Sequence, residues 1–404
     1  VIRYAFFIVV ILTSSLQAQN GSTVLSRYGI GELSLGTTIR QIGLGSVSVP
    51  VLSSYDINQA NPAAWTTLRA TRIQLQVSVE HTTTVLTNTD FSRMTSSIQG
   101  LQVAVPLLPK QGITFVLGFL PVSRINYKIQ KTTMLDDQPA EVKYSGTGGL
   151  SLVRFGSSYR PVSWLHVGAS FEYLFGSLSR DAVIDFSSAN YHDTNQQLVV
   201  SHGGPRGTFG FVLSAVPGLN IGASVSTSSQ ISEDRTLQLS YVDRDTTLKV
   251  GTREFGIPAV FHIGATYQLG SRWMIGTEYS GQDWSATVHD NPEQYRLRNM
   301  YTIAAGIEYQ PSSEQAASFI DRLAYRIGTY YRSTNVEIDG NAITETFITA
   351  GFGFPIGTYT RGDLAISYGW RGDENIPTGY DSIFRVYFSI SAGELWFQTR
   401  PGDE

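Results

Sequence analysis

Apolar residues recur at every second position over segments of about ten residues, and no stretch of the chain is apolar for the ~20 residues a helix needs to cross a bilayer. Leu165, Val167, Ala169, Phe171, Tyr173 and Phe175 share one face of an extended segment, opposed by His166, Gly168, Ser170 and Glu172. Tyr301, Ile303, Ala305, Ile307 and Tyr309 oppose Thr302, Ala304, Gly306 and Glu308, and Leu364, Ile366, Tyr368 and Trp370 oppose Asp363, Ala365, Ser367, Gly369 and Arg371. Side chains alternate across a strand, so each segment has one oily surface and one small or polar one. If such a chain spans a membrane, it does so as a barrel, because only a closed sheet satisfies its backbone there without helices.

A soluble sandwich alternates too. Strand length, aromatic placement and connections favour the barrel. The segments exceed the ~5–6 residues usual in soluble strands. Tyr301 and Tyr309 lie roughly 26 Å apart along their strand, ~20 Å in height after tilting, near the spacing of two interfacial aromatic belts. Tight turns at 108–111, 161–163, 217–218, 270–271 and 357–359, and a longer one from Pro311 where Ser312 and Gln315 would cap a helical turn before Arg322, alternate with polar stretches. Those stretches, expected as long loops, fall near 81–97, 124–146, 178–203, 232–253, 285–298, 334–343 and 372–381. Together they connect about fourteen strands, an even number, with short turns periplasmic and long loops extracellular. The fold expected is an all-β transmembrane antiparallel up-and-down barrel with an N-terminal plug in its lumen. Arg154 and Arg326 fall on the inward parity, where charge is tolerated. On the same logic Ile303→Arg is expected to impair assembly and Ala304→Arg to be tolerated.

The first 18 residues read as a signal peptide: Arg3, an apolar run from Ala5 to Leu12, and Leu16-Gln17-Ala18 as the cleavage site. Residues 19–70 do not alternate, are rich in Gly, Ser and Asn, and still carry Ile30, Leu33, Leu35, Ile42, Leu44 and Trp65. That much apolar surface is foreign to a disordered leader. A fourteen-strand lumen is too wide for wall side chains to fill, so this segment is expected as a plug, a periplasmic extension being the alternative. Residues 71–397 form the barrel and 398–404 a periplasmic tail, with both termini on the periplasmic side of a bacterial outer membrane. The last strand, with Phe388 and Ile390 and then Trp396 and Phe397, looks like the signal read by the barrel-assembly machinery.

Of 404 residues, 42% are hydrophobic and 15% charged, and the net charge of −4 gives no electrostatic reason to expect nucleic acid. The absence of cysteine removes disulfides, thiolate metal sites and a lipoprotein anchor.

Arg40-Gln41-Ile42-Gly43-Leu44-Gly45, followed by Asn61-Pro62-Ala63, resembles the hatch of FadL-type outer-membrane transporters, and Ser26-Arg27-Tyr28-Gly29-Ile30-Gly31-Glu32-Leu33 is similar to the opening of FadL-like proteins from Bacteroidetes. The likeness covers nearly all of the mature chain through strand count and length. Gly43, Gly45, Asn61, Pro62 and Ala63 form the plug motif. Physically, Asn61-Pro62 favours a turn that ends the plug and launches the first strand at about Arg72. The resemblance implies a kinked third strand within 113–123 that opens the wall sideways, with Gly118 and Pro121 permitting the kink.

Histidines at 81, 166, 192, 202, 262 and 289 lack metal-ligand spacing, and no catalytic triad is marked, so neither a metal, a cofactor nor an enzyme is expected. Gly203-Gly204-Pro205-Arg206-Gly207 is no phosphate cradle and reads as a hinge at the mouth of strand six. The resemblance implies passive uptake of hydrophobic small molecules through a lumenal apolar pocket. The other expectation is a non-transporting barrel that docks proteins through its extracellular loops, like PorV-type members serving type IX secretion. The partners expected are outer-membrane lipid, the assembly machinery, a hydrophobic ligand and a protein at the loops.

Overall fold

The computed structural model describes residues 24–86, 89–135, 138–186, 193–241, 244–287, 295–310, 318–373 and 379–395. The expected signal peptide, Ser312 and Gln315, His192 and His289, Trp396, Phe397 and the tail lie outside them. The wall is a closed antiparallel barrel of fourteen strands: β1 (Thr71–Leu86), β2 (Thr89–Leu108), β3 in two pieces (Ile113–Pro121 and Ser123–Leu135), β4 (Gln138–Val162), β5 (Leu165–Phe186) and β6 (Thr194–Val216). Then come β7 (Leu219–Ser226 and Ser229–Tyr241), β8 (Arg244–Ile257 and Val260–Leu269), β9 (Trp273–Asp283), β10 (Arg296–Leu297 and Asn299–Tyr309), β11 (Ala324–Ile338), β12 (Asn341–Pro355), β13 (Arg361–Gly372) and β14 (Tyr380–Glu394). Closure is the pairing of β14 with β1, from Tyr380 opposite Val85 to Glu394 opposite Thr71.

Period-two alternation sets the two faces. On β1, Ile73 and Val79 are exposed outside while Gln74, Gln76, Ser78, Glu80 and Thr82 are buried inside. Rings of aromatics bound the outer apolar band: Trp273, Tyr309, Tyr325 and Phe352 follow one another across β9 to β12 at 5.0–6.3 Å, and Phe261, Tyr279, Tyr301 and Tyr331 across β8 to β11 at 5.8–6.3 Å. This is how a barrel meets two membrane interfaces.

Most of the polar stretches expected as loops are strands. Residues 124–135 and 138–146 are extended, as are 178–186, 194–203, 232–241 and 244–253, so β4, β5 and β6 reach 25, 22 and 23 residues while β9 and β13 have 11 and 12. Ten extra residues add roughly 30 Å of strand. Polarity on both faces hid them, since a strand beyond the bilayer needs no oily side.

Four short elements interrupt the coil of residues 24–70: a 3-10 turn at Val24–Arg27, a two-residue strand at Glu32–Leu33, helix α1 (Ile39–Gly43) and a 3-10 turn at Pro62–Thr67. Most of the segment packs on the inward face of the wall. Ile39, Leu44, Val47, Val49, Ile57 and Trp65 are fully buried there. Ala304, on the inward face of β10, is 3% exposed and packs with Leu44 and Val47. The expectation that Ala304→Arg is tolerated is therefore corrected: this side of the wall abuts protein, not open lumen.

Candidate functional site

A coil buried inside a barrel must find partners for its own backbone, because an unpaired buried N–H or C=O costs as much as a lost hydrogen bond. The polar inward side chains supply them. Gln76 accepts from Ile39 N at 3.0 Å, Gln74 from Ile57 N at 2.6 Å, and Glu278 from Ser48 N and Val49 N at 2.5 and 2.8 Å. Gln102 donates to Ile57 O at 2.9 Å and Arg154 to Gln59 O at 2.6 Å. Asp56 accepts from Thr38 and Gln74, and burial pushes its carboxyl up.

Close approach is made possible by one glycine from each of eight consecutive strands: Gly168, Gly210, Gly222, Gly264, Gly276, Gly306, Gly328 and Gly351 on β5 to β12. Several are ladder neighbours, such as Gly222 and Gly264, and Gly276, Gly306 and Gly328. A Cβ at Gly351 would stand 2.9 Å from Gly43 Cα, at Gly276 3.0 Å from Val47, and at Gly264 3.1 Å from Pro50. At Gly168 and Gly210 it would meet Pro62 and Asn61, and at Gly306 and Gly328 Leu44 and Gly45. The belt thus traces residues 43–62 around the inside of the wall.

Above this seat, Glu32 joins a buried ion-pair network. It lies 2.5 Å from Arg371, 3.0 Å from Arg385 and 3.7 Å from Arg124, while Arg385 also pairs with Glu80 at 2.6 Å and Arg371 with Glu345 at 2.8 Å. Burial alone would raise the Glu32 carboxyl, but Arg371, Arg385 and Arg124 outweigh it and hold it well below the usual carboxylate range. Two further clusters, Arg40–Glu308–Arg326–Asp363 and Arg154–Glu172–Arg206, sit lower in the wall.

β3 breaks at Val122. Below it, the ladder to β2 runs as far as Leu101 opposite Phe119. Above it, the same edge of β3 pairs with Glu32-Leu33 of the N-terminal segment, Glu32 opposite Arg124 and Leu33 opposite Ser123, and Val122 O accepts from Ser34 N at 2.9 Å. The wall ladder between β2 and β3 stops there.

Three cavities lie along this line. The largest, 620 Å³, sits between the tall strands and is lined by Tyr28, Tyr127, Tyr144, Leu198 and Phe255 together with Arg180, Asp181 and Glu233. Phe255 lies 6.5 Å from Trp284 with the two rings tilted, and Trp284 lines a second chamber of 130 Å³ beside Ile30, Leu120 and Pro121. A third, 100 Å³, shares Leu33, Leu35, Pro121 and Arg332 with the second and reaches Ile98 and Gln99 of β2, beside the break.

A family model described as BamG matches residues 1–401. The chain belongs to the BamG family. No curated protein matches it. In fold this BamG-family chain is similar to a Pseudomonas aeruginosa FadL homologue, with 14% identity over 91% of this chain and 100% of that one and a TM-score of 0.61. It is also similar to the Ralstonia pickettii toluene transporter TbuX (15%, 89% and 98%, 0.60) and to the Pseudomonas putida toluene transporter TodX (15%, 91% and 100%, 0.61). At these identities the likeness is one of fold.

Within the BamG-family chain, the residues singled out from sequence fall in different places. Gly43 and Gly45 sit in the glycine-lined seat. Asn61 caps the 3-10 turn by accepting from Ala63 N, and its amide donates to Val49 O and to Phe211 O of β6; Pro62 opens the turn and Ala63 is fully buried. None of these five lines the three cavities. Pro121 adjoins the break, whereas Gly118 lies three residues earlier with ladders to Gln102 and Arg154 on both sides. Phe388 and Ile390 are on the outer face of β14. Glu32, Arg371 and Arg385 were not found from sequence. Glu32 is more than 330 residues from either arginine in sequence, and parity, which put Arg371 on the inward face, does not say which inward charges meet.

Proposed function

We propose that the chain is an outer-membrane channel for hydrophobic small molecules, exported with residues 1–18 removed and plugged by residues 24–70. The observation that carries this reading is the run of adjoining cavities from the aromatic-lined mouth to the break in β3. A ligand enters at the tall strands, rests against Tyr28, Tyr127 and Phe255, passes the chamber beside Trp284, and leaves sideways where the β2–β3 ladder has ended. Flux along this route follows the concentration gradient. The names of the structural neighbours, two toluene transporters among them, point to the same ligand class, apolar molecules of modest size.

The test is uptake of toluene and of a long-chain fatty acid by cells that carry the chain or an empty vector. Leu198→Trp with Val200→Trp, which fills the mouth, should cut uptake about tenfold. Equal uptake with and without the chain sinks the reading.

One observation favours a second role. The family name points to the barrel-assembly machinery, and β4 to β8 raise a wall well past the apolar band, a surface suited to a protein partner. In that case the chain co-purifies with the assembly machinery, filling the mouth changes nothing, and shortening the β4–β5 hairpin abolishes the association.

A further inference from the structure

The outer side of the wall carries a notch apart from the lumenal route, with Arg253 as the one lining residue that it shares with the mouth cavity. It measures 430 Å³, lies where β5 to β8 adjoin, and is lined by Tyr173, Pro205, Gln230, Ser232, Thr252 and Glu254. Its origin is a slip in the ladder between β6 and β7: Thr208 faces Ser226, yet Gly203 faces Ser232, one residue out of step. Across the slip Pro205 has no N–H to give, and its carbonyl accepts from the Ser229 hydroxyl at 2.6 Å. Gly203 leaves the backbone bare under Tyr173, where a Cβ would stand 2.9 Å from the phenol oxygen. Gly204 backs onto the fully buried Ile231, which seals the notch from the lumen.

Depth and chemistry narrow the occupant. Below the notch the outer face is oily: Phe171, Phe209, Val225 and Phe261 are all exposed there. At the notch it turns polar with Gln230, Ser232 and Glu254, so the site straddles the upper edge of the apolar band, where lipid tails end and headgroups begin. The end with tall strands is extracellular when the short turns are periplasmic. An aromatic ring beside an amide, a hydroxyl and a carboxylate offers a flat apolar patch ringed by donors and acceptors. The cation at its margin, Arg253, is held inside by Glu233 at 2.6 Å, which leaves little to attract a phosphate. A volume of 430 Å³ is in the range of small-molecule sites.

We propose that this notch holds a neutral sugar ring of an outer-leaflet glycolipid. The lipid is the source because the notch opens sideways at the membrane boundary, not upward into solvent. The proposal rests on the barrel sitting in the outer membrane and is independent of what the lumen carries.

Native mass spectrometry of the detergent-extracted protein tests it with three probes: lipopolysaccharide bearing core sugars, lipid A stripped of them, and the released free oligosaccharide. The intact protein should retain the first about tenfold better than either of the others. Ser232→Trp, which fills the notch from an exposed position, and Tyr173→Ala, which removes the ring, should each erase that preference, with heat-modifiability of the barrel unchanged for Ser232→Trp. The proposal is overturned by undiminished retention in Ser232→Trp, by free oligosaccharide binding as tightly as the lipid, or by removal of the lipid phosphates abolishing retention.

Discussion

Gly45 and Gly36 separate two costs that glycine ordinarily hides together. Both have left-handed backbones, φ +68° and +66°, but a Cβ at Gly45 would stand 2.6 Å from Thr329 N while Gly36 has nothing within 4 Å. Gly36→Ala should cost about 1 kcal/mol, the conformational penalty alone. Gly45→Ala adds a clash with strand backbone that cannot relax, and should lose several times as much, about 3 kcal/mol or more. Urea unfolding of the purified barrels checks this, and equal losses in the two variants count against the glycine-lined seat. Ile303 and Ala304 make a second pair. Ile303→Arg places charge on the oily face at a cost of about 2–4 kcal/mol. Ala304→Arg forces a long side chain between β10 and the buried Leu44 and Val47, and should fail as well. Heat-modifiability distinguishes the outcomes: normal folding of Ala304→Arg means that residues 44–47 do not pack there. Parity in the sequence was enough to assign both faces, yet it could not say that the inner one was covered, because an alanine facing water and an alanine packed against Leu44 and Val47 read alike.

At the scale of elements, the N-terminal coil is held in two ways. Residues 39–68 are seated mainly on glycines and on the amides of Gln74, Gln76 and Gln102, which do not titrate, with Glu278, Asp56 and the Arg40–Glu308 pair as their charged contacts. Residues 24–36 are held by a two-residue ladder to β3, by the packing of Tyr28 and Ile30, and by Glu32, whose carboxylate is the titratable group among these contacts. Since the folded Glu32 carboxyl lies below its unfolded value of 4.5, its contribution is complete above about pH 4.5 and is lost as pH falls below that value toward the folded one. Acid should loosen residues 24–36 before residues 39–68, and hydrogen exchange at pH 6 and pH 3 reads that order directly. Glu32→Gln should cost about 3 kcal/mol at neutral pH and flatten the response, because it leaves Arg371 and Arg385 short of a partner charge. Uniform loosening of both halves at pH 3 contradicts the division. The tight turns were legible from their proline and glycine pairs, whereas a kink within 113–123 was implied only by the family resemblance. The upper strands were not. Lys128, Lys131 and Lys143 interrupt the alternation with charge, and the hairpins they occupy extend past the bilayer, where the rule that reveals a membrane strand does not apply.

For the whole molecule, the inward surface has a double character that only removal of its contents can expose. Gln74, Gln76, Gln102, Glu278 and Arg154 look like the lining of an aqueous pore, yet in the intact chain they are spent on the backbone of residues 39–61. Lumen polarity in the sequence therefore does not by itself mean an open channel. Deleting residues 24–70 should leave a wall whose fourteen strands still close through β14 and β1, because that pairing involves no residue of that segment. Freed of the coil, the same glutamines and charged groups would be solvated, and water would fill the cylinder. In planar bilayers the intact chain should then show no steady ion current, while the deletion variant should conduct like a small general pore and lose several degrees of thermal stability through its unpaired charges. Steady conductance by the intact chain would mean that the coil leaves a continuous aqueous path. A silent deletion variant would mean instead that the wall collapses without its filling, so that residues 24–70 belong to the core on which the barrel is built.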